Sequence, residues 1–254
     1  MKKYLKFGFI SLLTFLFINN VSATATREDM LKMFPSYVID AWTPEEYTEY
    51  SAYDYSKITK KEILIPNNDY CPSGIAPFGG FLETNYKRIT LMAMDLNNND
   101  FLVNFTAQWK GMPVRRSFDV IALRFYDVVM YNGTQFGKQY FTRTNGSQDT
   151  VNYSYQGTNM VLKDNGYGIS MNLVDDSINA LELFTSVKTR IVGASPIIYG
   201  AYEHAVDNVT LADSQNYDLS SNGMGYVINF WPTVYDHYDL TPGLDINPND
   251  YRAY

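Results

Sequence analysis

Between Phe101 and Lys110 the chain alternates strictly: Phe101, Val103, Phe105, Ala107 and Trp109 interleave with Leu102, Asn104, Thr106, Gln108 and Lys110. Successive side chains of a strand leave on opposite faces, so this spacing predicts a half-buried strand with the first set on a core and the second largely toward water. Ile89, Leu91 and Ala93 predict a partner strand across the Asn97-Asn98-Asn99 turn, and the continuous apolar run Phe118 to Tyr126 predicts a central strand. Alternation returns at Ile169, Met171 and Leu173, and again from Leu181 to Ile191.

The turns agree with this period. Asn-Gly occurs at Asn132-Gly133, Asn145-Gly146, Asn165-Gly166 and Asn222-Gly223. Both residues tolerate positive φ, as tight antiparallel hairpins require. Short strands joined by such turns, without long helical crossovers, predict a mainly β chain: an antiparallel β-sandwich over residues 84–240, with eight to ten strands between about 84 and 235.

Residues 24–83 read differently. Thr26 with Asp29, and Thr43-Pro44 with Glu46, are helix-start signals in which a hydroxyl caps free N–H groups and an acid meets the positive end of the helix dipole. They predict two short helices, followed by an irregular connector rich in Pro and Gly over residues 66–83. Residues 241–254, with Pro242, Gly243 and Pro248 among acids, read as a C-terminal strap or tail.

Residues 1–23 have the pattern of a signal peptide. Lys2, Lys3 and Lys6 precede the apolar run Phe7 to Ile18, and Val21-Ser22-Ala23 places small residues before a cleavage point. The expectation is a secreted protein, extracellular or loosely held at the cell surface. Without those three lysines, the remaining 17 of the 20 Lys and Arg face 27 acids, a net charge of −10. That balance argues against a nucleic-acid partner, which needs cations to neutralise phosphates. No later stretch reaches the roughly 20 apolar residues of a membrane span.

The lone Cys71 excludes an internal disulfide, so stability rests on the core. Cys71 with His204 has the chain order of a thiol protease, yet Pro72-Ser73-Gly74 follows the thiol where a helix would be needed to activate it. No G-x-S-x-G elbow, H-E-x-x-H helix, S-x-x-K pair or P-loop is present. Asp236, His237 and Asp239 offer oxygen and nitrogen ligands. Asp95 to Asp100 and Asp245 to Asp250 begin like calcium loops but carry Asp100 and Asp250 where that loop needs Gly. No cofactor is implied, and calcium is the ion these acids would take. Trp231, Tyr235 and Tyr238, interleaved with Asp236, His237 and Asp239, are the candidate ligand-binding residues, because rings beside polar groups stack on sugars or anchor protein partners.

Two segments, Trp109 to Pro113 with Arg115 to Ala122, and Tyr199 to Ala205, resemble pieces of uncharacterised secreted proteins of Gram-positive bacteria. The resemblance implies a bacterial envelope setting and no activity. The expectation is therefore a secreted β-sandwich that binds an extracellular polymer, glycan or protein, at or near the cell surface. The alternatives are a secreted hydrolase of glycan or peptide, with catalytic acids the sequence does not single out, and a self-assembling envelope protein whose strand edges add to one another.

Overall fold

The computed structural model describes residues 24–66, 85–163, 165–205, 207–219, 229–230, 235–240 and 243–246. Three short helices come first: α1 (Arg27–Met30), α2 (Ser36–Ile39) and α3 (Pro44–Ser51), then a 3-10 turn at Tyr55–Lys57. Both threonine signals form full capping boxes, at Thr26 with Asp29 and at Thr43 with Glu46. The first helix ends at its C-cap Leu31, and Pro35 holds the N-cap position of α2 without a side-chain capping bond, so there are three helices where two are expected.

Strands follow: β1 (Ile58–Pro66), β2 (Asn85–Asn97), β3 (Asp100–Trp109), β4 (Phe118–Tyr126), β5 (Val128–Met130) and β6 (Phe136–Arg143). Next are β7 (Gln148–Ser154), β8 (Met160–Lys163), β9 (Gly166–Asn172), β10 (Ile178–Ile191) and β11 (Ile197–Ala205). Helix α4 (Leu211–Ser214) precedes β12 (Tyr217–Asp218), β13 (Asn229–Phe230), β14 (Tyr235–Leu240) and β15 (Leu244–Asp245). Among the described residues, β2 to β13 make twelve strands where eight to ten are expected. The excess comes from very short pieces such as β5, β12 and β13, below the length at which a period can be read.

The protein is mainly β, an antiparallel β-sandwich with a short helical N-terminal segment. The first sheet runs β1-β2-β3-β10-β6-β7, with β5 also on β10; the second runs β14-β11-β4-β9-β8, with β15 also on β11. Their inner faces share one core, in which Ile89, Phe105 and Leu183 of the first sheet meet Ile121, Tyr167 and Ile169 of the second. The hairpin of β2 and β3 turns at Asn97, Asn98 and Asn99, all at positive φ (73°, 54° and 66°), a region that Asn tolerates better than most residues. The run Phe118 to Tyr126 is central, between β11 and β9.

Three expectations change. The second face of β3 is not in water: Leu102, Asn104 and Thr106 are buried, because the helices lie across the outer face of the first sheet. Met30, Met33, Phe34, Val38 and Ile39 pack there on Met92, Met94, Leu102 and Phe184. Asn104 survives that burial by donating to the Met33 carbonyl at 2.8 Å and accepting from the Ser186 hydroxyl at 2.7 Å. Second, β1 is a strand inside the segment read as helices and connector, paired along its length with β2. Its run Ile58 to Pro66 lacks clear alternation across Lys60-Lys61-Glu62.

Third, the four Asn-Gly pairs do different work. Asn145-Gly146 turns the β6–β7 hairpin, with Gly146 at φ 86°, and Asn165 immediately precedes β9, whose first residue, Gly166, pairs with Lys163 of β8. Asn132-Gly133 makes no hairpin: β5 and β6 both pair with β10, and the pair sits in a bulge between two halves of one interrupted strand. Tyr131 N–H to the Lys188 carbonyl (2.9 Å) and Lys188 N–H to Thr134 Oγ1 (3.0 Å) carry the ladder across the gap. Asn222-Gly223, Cys71, Trp231 and residues 1–23 lie outside the described residues. Among those described, no helix is long and apolar enough to cross a membrane. Of the C-terminal segment, residues 243–246 are described: Leu244 and Ile246 enter the core, and Ile246 N–H reaches the Pro196 carbonyl at 3.1 Å.

Candidate functional site

The helices do not cover the first sheet completely. Pro44 and the Thr43–Glu46 capping box fix where α3 starts, and Tyr50 anchors it to the sheet. Between α3, the bulge at Gly133–Gln135, the start of β6 and the end of β7 lies an open groove of about 690 Å³. Its walls include half-buried Trp42 and Tyr155, with Glu46 and Glu49 on the helix side and Gln135, Lys138 and Asn152 on the sheet side.

Trp42 is held rigidly. Its ring stacks on Tyr50 with centroids 4.6 Å apart and 18° between planes, and meets Phe34 edge-on at 4.9 Å. Lys188 ties the groove's two sides by bonding Glu49, which also accepts the Tyr53 hydroxyl at 2.8 Å. That ammonium, and then the Tyr53 hydroxyl, hold the Glu49 carboxyl below its usual range against the opposing effect of burial. Lys138 donates to Asn152 Oδ1 at 2.8 Å, and partial burial pulls its pKa down. The groove therefore sets aromatic surface beside fixed donors and acceptors of both charges, an arrangement able to orient a polar ligand that also has apolar faces.

A second polar cluster lies between the sheets. Asp119 of β4 is fully buried and accepts from the Tyr202 hydroxyl, the Ala205 N–H (3.0 Å) and His204 Nδ1 (3.0 Å). Across the core Trp109 packs edge-on against His204 at 4.8 Å, and Lys87 Nζ lies 4.9 Å from the Trp109 ring centre and 5.2 Å from that of Tyr202. His204 is thus partnered by a carboxylate 85 positions away, a pairing that needs β4 and β11 to be neighbours.

The residues singled out in the sequence fall elsewhere than the groove. Tyr235, His237 and Tyr238 lie on β14 at the edge of the second sheet, opposite Ala205, His204 and Glu203. Trp231 lies outside the described residues. The acids Asp95 and Asp100 belong to the β2–β3 turn, where Asp95 accepts the Asn97 N–H at 2.6 Å and Asp100 holds Arg190 and Tyr131. The groove drew no signal in the sequence beyond the capping box, because its walls come from four separated segments.

No family model and no curated protein matches this chain. Among solved structures, it is similar to the KRT10-binding region domain of the pneumococcal serine-rich repeat protein PsrP, with a TM-score of 0.30 and 16% identity over 58% of this chain and 86% of that one. It is also similar to the enzymatically active domain of tailspike protein 4 of bacteriophage CBA120, with a TM-score of 0.24 and 12% identity over 56% of this chain and 19% of that one.

Proposed function

We propose that this chain is a secreted, non-enzymatic binding module that takes an extracellular glycan in the groove between α3 and the β6–β7 hairpin. The observation that carries the reading is the juxtaposition of Trp42 and Tyr155 with Glu46, Lys138 and Asn152 around one concave space. Sugar rings present an apolar face and a rim of hydroxyls, and such a groove meets both. A flat protein epitope fits a concave wall of this size less well.

Glu49 is poorly suited to be the general acid of a hydrolase. A general acid needs a carboxyl held protonated near neutrality, whereas Lys188 lowers Glu49. Burial does raise Glu182, yet that carboxyl accepts from Tyr37 (2.8 Å) and Gln108 (3.2 Å) under the helical layer, outside the groove's walls.

The test is a glycan and cell-wall polymer binding array run beside a turnover assay on the same materials. Trp42→Ala and Lys138→Ala are expected to lose binding at least tenfold while the far-ultraviolet circular dichroism stays unchanged. Binding that survives both substitutions would place the ligand elsewhere, and product release would end the non-enzymatic reading.

A further inference from the structure

The charged side chains described on the groove's walls are Glu46 and Glu49 of α3, Lys138 of β6 and Lys188 of β10. Most of this charge is answered within the fold. Glu49 accepts from the Lys188 ammonium, which pairs both groups. Glu46 accepts the Thr43 N–H at 2.8 Å in the first turn of α3, where the positive end of the helix dipole favours a carboxylate. Lys138 is the exception: its Nζ donates to Asn152 Oδ1 at 2.8 Å and forms no ion pair among the described residues.

An ammonium carries three protons and accepts nothing, so Lys138 keeps donors for a ligand. Asn152 adds to the same demand. With its oxygen taken by Lys138, it has only its amide N–H groups to offer. Lys138 and Asn152 are directly opposite on β6 and β7, which sets these donors side by side on one face of the sheet. Partial burial disfavours the Lys138 charge, and only Glu46 acts the other way. A half-buried cation beside a concave space is stabilised by an anion that enters that space. The chain's overall balance limits how much negative charge the ligand has. With 27 acids against 20 bases, a uniformly charged polyanion is repelled, whereas a single carboxylate meets Lys138 at contact.

We propose that the glycan taken by the groove carries a carboxylate, as a hexuronate does, and that Lys138 and Asn152 receive its two oxygens while the sugar ring lies on the aromatic wall at Trp42. This rests on the groove being the glycan site, and it names the ligand's class within that reading. Adjacent N–H donors match the paired oxygens of a carboxylate, and the charge on Lys138 strengthens the bonds.

The experiment uses the whole secreted chain and three immobilised probes. The first is an oligosaccharide alternating a hexuronate with a neutral sugar, the second is the same oligosaccharide with its carboxyls reduced to primary alcohols, and the third is a sugar-phosphate polymer. The carboxylated form is expected to bind about tenfold or more tighter than the reduced form. Lys138→Met keeps the aliphatic stem and should abolish that difference with an unchanged circular dichroism spectrum, whereas Lys138→Arg should retain it. Asn152→Asp supplies Lys138 with a counter-charge from the protein itself and should also abolish the preference. Trp42→Ala should weaken the carboxylated and reduced forms alike. Equal binding of those two forms by the wild-type chain, a preference that survives Lys138→Met, or tighter binding of the phosphate polymer overturns this inference and leaves the glycan reading standing. Absence of binding to every glycan, here and on the wider array, ends both.

Discussion

Trp109 donates its indole N–H to the Tyr202 hydroxyl at 3.0 Å, a bond that crosses from the first sheet to the second. Tyr202 in turn donates to Asp119, so one phenol joins the two layers and serves a buried carboxylate. Such a chain specifies how the sheets align, because each member is satisfied only when the others are in place.

Tyr202→Phe keeps the ring and removes the relay. It leaves the Trp109 N–H without its acceptor and takes one donor from Asp119, each a loss inside the core. The expected cost is about 3 kcal/mol, read as a lower midpoint in urea with an unchanged slope.

The helical layer makes a separate prediction through Asn104. Asn104→Leu strands the Ser186 hydroxyl and one acceptance at the Met33 carbonyl, both beneath the helices. Stability should fall by about 2 kcal/mol. Because Met33 is the residue that Asn104 holds, amide exchange should rise across residues 27–39 more than in β9.

Gly200 on β11 has a packing role. A Cβ at that position would lie 2.5 Å from Phe105 Cδ2, a ring buried in the shared core. Gly200→Ala forces the sheets apart locally and should cost about 1–3 kcal/mol. If thermal unfolding shows no loss, Phe105 can rotate away, and the close approach of the layers at this point is not a constraint.

Acid should loosen the β2–β3 turn. Arg190, foremost, and the Tyr131 hydroxyl hold the Asp100 carboxyl below its ordinary value of 3.8. A carboxyl depressed in the folded state contributes stability above its unfolded pKa, and that contribution disappears as pH falls through the depressed value. Asp100→Asn is therefore expected to lower the melting temperature at about pH 6 and to have a smaller effect at about pH 3. An equal effect at both would show that hydrogen bonding, and not charge, holds the turn.

The sheets were legible in the sequence where one face met the core and the other had contrasting chemistry. Phe105 and Ala107 on β3, and Leu91 with Ala93 on β2, sit where the alternation puts them. The same rule failed for Leu102 and Asn104, because a period of two states which residues share a face and not what covers it. Only tertiary structure shows that Met33 and Phe34 arrive there. Strand β1 was hidden by Lys60-Lys61-Glu62, a charged stretch in which alternation is lost. The groove was illegible for a different reason: Trp42, Lys138 and Tyr155 form no linear pattern, and the β6–β7 hairpin must fold back under α3 before they meet.

Strand β10 lies between β3 and β6 and pairs with both. The first sheet thus places its centre late in the chain, after both flanking strands have been synthesised. Until about residue 191 is available, β3 and β6 each present an unsatisfied edge. Folding of this protein should therefore be slow, because closing the first sheet waits on pairing between segments far apart in the chain. A chain shortened to end before β10 would be an aggregation hazard rather than a smaller domain.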